Sequence, residues 1–86
     1  MTAGQTPMEL LRAMMQDYEQ QWRSAQGHAR RHPLRIKMLQ LENLIQRDPD
    51  AAELDRILAE GATGDNWELS LLCGDLQPRW QAARSG

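Results

Sequence analysis

The chain has 86 residues, too short for two cores, and a formal net charge of −2 that hides a segregation of basic and acidic residues. Residues 1–86 are therefore read as one domain, of a size that buries only about 60% of its unfolded surface, so good helix packing or a shared interface has to supply stability. Val and Phe are absent and Thr occurs only at Thr2, Thr6 and Thr63, which argues against a sheet. The abundant Leu, Ala, Met, Gln, Glu and Arg predict an all-α fold, a compact bundle of three to four short helices.

Cys73 is the only cysteine, so neither an internal disulfide nor a cysteine cage for a metal is expected, and a cytoplasmic, reducing setting fits. The opening MTAGQTPMEL has no basic start or uninterrupted apolar run, and no secretory signal is expected from it. No stretch nears the ~20 apolar residues that cross a bilayer, and no membrane association is expected.

Thr6-Pro7-Met8-Glu9 combines a capping residue, proline at the first helical position and Glu three residues after the cap, which predicts a first helix starting at Pro7. Met8, Leu11, Met15, Tyr18, Trp22 and Ala25 recur at spacings of three and four up to a stop near Gly27. Pro33 suits a first turn better than a helix interior, so the second helix is expected to begin near His32 or Pro33. Leu34, Met38, Leu41, Leu44 and Ile45 form its main stripe, while Ile36 and Leu39 fall on the opposite side of the wheel.

Asp48-Pro49-Asp50 is expected to end helix two and start helix three, with Asp48 as cap. Ala51, Leu54, Ile57 and Leu58 make a one-sided stripe ending at Gly61. After the link 61–64, Asp65 with Glu68 resembles a capping box and starts helix four near Asn66. Trp67, Leu69, Leu71, Leu72, Cys73 and Leu76 leave this helix apolar nearly all round, so it must be well buried. Gly74 and Pro78 predict a break or kink before Trp80, and residues 1–5 and 85–86 are expected to fray.

Little points to catalysis. His28 and His32 have the i,i+4 spacing of a zinc pair, but Pro33 and the intervening Arg30 and Arg31 weaken that reading. Cys73 sits in an apolar helix, as a core thiol does. Asp48, Asp50 and Asp65 are explained as caps, and 61–64 lacks the Lys-Ser/Thr of a phosphate loop. The chain is read as a non-enzyme without cofactor or metal.

Charge is segregated along the chain. Arg23, Arg30, Arg31, Arg35 and Lys37 form a basic segment without an acid, whereas Asp48, Asp50, Glu53, Asp55, Glu60, Asp65, Glu68 and Asp75 are opposed by Arg56 alone. The two halves can attract each other within the fold, or the basic patch can steer a partner. Helix three, the glycine link and helix four superficially resemble a helix-turn-helix, but a recognition helix opening with Asp65 and Glu68 would repel DNA.

The apolar surface exceeds what one small core obviously absorbs. Leu10, Ile36, Leu39, Trp67 and Trp80 are the candidate partner-binding residues, and Trp, Met and Arg are favoured at interfaces. The expected function is a helical protein–protein interaction module, an adaptor, small chaperone, inhibitor or assembly factor, with a homodimer among its possible forms. The alternative is a small nucleic-acid-associated regulator that uses the 23–37 segment.

Overall fold

The computed structural model describes residues 5–85 and contains four α-helices: α1 Pro7–Ser24, α2 His28–Arg47, α3 Ala51–Thr63 and α4 Trp67–Ser85. No strand occurs among the described residues. The fraying expected at 1–4 and 86 lies outside them, while Ser85 still belongs to α4.

The first cap is as the sequence predicts. The Glu9 amide donates to Thr6 Oγ1 at 3.2 Å and the Thr6 amide donates to Glu9 Oε1 at 2.9 Å, which satisfies two amides that otherwise lack helical partners. The buried face of α1 is turned relative to the expected stripe: Leu10, Leu11, Met14 and Tyr18 are buried, and Met15 and Trp22 lie at its edge.

Three boundaries differ from expectation. Helix α2 begins at His28, ahead of Pro33, because Gly27 adopts φ 89° and turns the chain there. Ala29 and Pro33 are both exposed, so water can serve the Ala29 carbonyl that Pro33 has no N–H to reach. Asp48 closes α2 in the left-handed conformation at φ 49°, and Asp50 caps α3 by accepting the Glu53 amide at 2.8 Å. Proline disfavours a right-handed helical residue before it, and Asp tolerates the left-handed region, which moves the cap from Asp48 to Asp50. Asn66, rather than Asp65, caps α4, its Oδ1 accepting the Leu69 amide at 3.1 Å.

Two predicted breaks do not interrupt helices. Helix α3 runs past Gly61 to Thr63, and α4 continues through Gly74 and Pro78. Gly61 is buried where α3 meets α4, and a Cβ there would collide with Cys73 Sγ. Pro78 and Gly74 are exposed, so the carbonyl left without a partner faces solvent.

Helix α4 packs against α1, α2 and α3, and α1 also packs against α2. Leu72, Cys73, Leu76 and Trp80 bury one side of α4, whereas Trp67, Ser70, Gly74 and Pro78 are exposed, so the helix is not buried all round as its composition predicts. Leu11, Met14, Leu41, Leu54, Leu72 and Leu76 are fully buried in one shared cluster, each contributing about 1.5–3 kcal/mol of transfer free energy. Among the described residues no helix is long and apolar enough to cross a membrane.

Candidate interaction surface

Two of the five proposed contact residues are core. Leu10 is 4% exposed, on the inner face of α1, and Trp80 is 4% exposed, its indole N–H donating to Asp55 Oδ1 at 2.7 Å. The surplus surface inferred around Trp80 rested on a break at Pro78; with α4 continuous, Trp80 swings onto α3 and the core absorbs it. Ile36 is half-buried. Leu39 and Trp67 are 51% and 59% exposed, the two large apolar side chains that stand out of the described surface.

Leu39 does not stand alone. It borders a groove of about 430 Å³ between α1 and α2, lined by Met15, Glu19 and Trp22 from α1 and by Arg35, Met38, Leu39 and Glu42 from α2. The geometry follows from helix periodicity. Arg35, Met38, Leu39 and Glu42 stand at i, i+3, i+4 and i+7 and form one stripe, while Leu34, Leu41 and Leu44 occupy the buried side of the same helix. Met15 and Trp22 provide the α1 wall because the core takes the neighbouring Leu11–Met14–Tyr18 face. Sequence periodicity places both in the buried stripe of α1; the competing stripe through Met14 is the signal that puts them at the edge.

The basic segment divides in the structure. Lys37 is drawn inward, its Nζ 2.9 Å from Asp75 Oδ2. Arg31 donates from Nε to the Ala25 carbonyl at 3.1 Å and lies 5.0 Å over the Trp22 ring, a cation–π contact that stiffens the groove wall. Arg23, Arg30 and Arg35 are exposed. Beside them a second depression is lined by Trp22, Gly27, His28, Arg31, His32 and Arg35, and the His28 and His32 rings stack with centroids 5.2 Å apart. The two imidazoles do share a helix face, but no group of three or more His, Cys, Asp or Glu that could hold a metal occurs among the described residues.

The perturbed acid–base groups belong to the scaffold. Asp75 accepts from the Tyr18 hydroxyl at 2.7 Å and from Lys37. Burial pushes its carboxyl up, but the Lys37 and Tyr18 hydrogen bonds and the nearby Lys37 and Arg79 charges outweigh that and hold it below the ordinary range. Burial, and then the Asp75 carboxylate, push the Tyr18 hydroxyl far above its usual value. The Trp80 indole and then Arg84 hold Asp55 low. Burial raises the Cys73 thiol, which opposes thiolate chemistry. Asp75 and Asp55 each tie helices together, and neither they nor Tyr18 and Cys73 line the groove. No protein-family model matches the chain, and neither a curated protein nor a solved structure is significantly similar to it.

Proposed function

We propose that this protein is a non-catalytic interaction module whose contact surface is the α1–α2 groove, with a helical segment of protein as its occupant. The supporting observation is Leu39, half exposed at the lip of a groove walled by Met15, Trp22 and Met38 and flanked by charge. An apolar floor with a polar rim is the anatomy of a protein interface, and Trp and Met are residue types concentrated at such sites. Helices commonly dock into grooves of this kind through apolar anchors spaced at i, i+3 and i+4. A cytoplasmic setting goes with this reading, since Cys73 is a buried unpaired thiol.

A photo-crosslinking residue substituted at Leu39 in cells tests the proposal. A discrete protein adduct is expected from position 39 and not from the exposed position Ala52 on α3. Equal labelling from both positions, or none from position 39, overturns it. The nucleic-acid alternative rests on the exposed Arg23, Arg30 and Arg35 and requires salt-sensitive retention on nucleic acid at low ionic strength that is lost when Arg30 and Arg35 become Ala.

A further inference from the structure

We infer that the occupant of the groove is a second copy of this chain, docked with its α2 antiparallel to the first about a two-fold axis beside Leu39. The inference rests on the interaction reading above and adds the identity and geometry of the partner.

Charge is ordered along one stripe of α2. On α2 a cation, Arg35, precedes the apolar pair Met38 and Leu39, and an anion, Glu42, follows it. Arg35 and Glu42 are both exposed, and neither forms an ion pair with another described residue. A two-fold axis passing between positions 38 and 39 exchanges the ends of the stripe. Met38 then meets the second copy's Leu39, and Arg35 meets its Glu42. Each charge lies three and a half residues from the axis, roughly 5 Å at 1.5 Å rise per residue, within reach of a long side chain from the facing helix. The same residues serve on both sides, as an isologous interface requires.

A parallel arrangement puts Arg35 against Arg35 and Glu42 against Glu42, so the charges select the antiparallel one. In that arrangement each Leu39 is offered the other copy's groove, bounded by Met15 and Trp22. Arg31 remains over Trp22 and has no need to move. Trp67 is outside the groove lining and takes no part.

The test is self-association of the full chain, followed by sedimentation velocity over a dilution series at low and high salt. The wild type is expected to form a reversible dimer that weakens with salt, and Leu39→Asp a monomer of unchanged helicity. Arg35→Glu and Glu42→Arg should each weaken self-association at least about tenfold, because both rim pairs turn from attraction to repulsion. Mixing these two variants should restore the dimer as a mixed species, since every rim contact is again Glu against Arg. The double variant R35E/E42R should recover self-association alone.

A wild type that stays monomeric throughout the dilution series overturns the second-copy inference. If position 39 still crosslinks to a different protein in that case, the interaction reading stands without it; if position 39 gives no adduct, both fall. A dimer unaffected by Leu39→Asp, or one that the mixed charge variants do not restore, overturns the proposed geometry.

Discussion

Asp75 illustrates how one carboxylate fixes three helices. It accepts from Tyr18 on α1 and Lys37 on α2 while standing on α4, so removing one donor loosens a joint and leaves a half-buried charge with fewer partners. Tyr18→Phe should lower stability by about 1.5–3 kcal/mol, the range for a hydrogen bond to a charged group, measured by urea unfolding. Tyr18 is also the only tyrosine, which makes its ionisation directly readable. Its folded value is raised above the ordinary value of 10.0, so the unfolded chain releases that proton first. Stability is retained below pH about 10 and falls as pH rises beyond it. Phenolate absorbance should therefore appear together with the loss of helical circular dichroism. Phenolate forming near its ordinary value while the helices persist would show that Tyr18 is solvated and its bond to Asp75 weak.

Helix α3 meets α4 through Gly61, and the element scale is where one substitution should act with opposite signs at two glycines. Gly74 lies on the open side of α4 with no heavy atom near a built Cβ, whereas Gly61 abuts Cys73 Sγ. Gly74→Ala should stabilise by about 1 kcal/mol through helix propensity alone. Gly61→Ala gains the same propensity but overpacks the α3–α4 contact, at a cost of about 1–3 kcal/mol, and should be net destabilising. In a Cys73→Ala background the sulfur is gone and Gly61→Ala should become stabilising. Thermal melts of the four combinations give the coupling, and additivity within a few tenths of a kcal/mol would mean that the contact is looser than drawn.

Gly61 and Pro78 also show where sequence reasoning stops. The four helical segments and the Thr6–Glu9 cap are legible, because capping chemistry and apolar periodicity are local signals. A glycine at a helix terminus and a glycine at a helix crossing look alike in sequence, since the second is decided by a residue on another element. The same limit explains the misplaced contact residues. Leu39 is exposed because its own helix buries the opposite side, whereas Trp80 is core because α4 runs on through Pro78 and carries the indole to Asp55 on α3.

At the scale of the whole molecule, four ion pairs among the described residues clasp the helices, and one of them, Lys37–Asp75, joins the basic segment to the acidic one. Lys37–Asp75 joins α2 to α4, Arg79–Asp17 joins α4 to α1, Arg84–Asp55 joins α4 to α3, and Arg47–Glu53 spans the α2–α3 turn. The more exposed of these pairs add little singly, yet three of the four converge on α4, which packs against each of the other helices. Asp55 and Asp75 are held below the ordinary carboxylate range, so in the folded state they resist protonation that the unfolded chain accepts. Their contribution is present above pH about 4 and is lost as pH falls through that ordinary value toward the depressed folded ones. The melting temperature should accordingly be nearly flat from pH about 7 to 5 and drop below about 4. Asp75→Asn removes one of the titrating groups, so its melting temperature should start lower at neutral pH and fall less steeply in acid. Parallel acid limbs for the two proteins would move the acid sensitivity away from Asp75, to Asp55 with its two donors and to Glu9, which the Thr6 amide and hydroxyl also hold low.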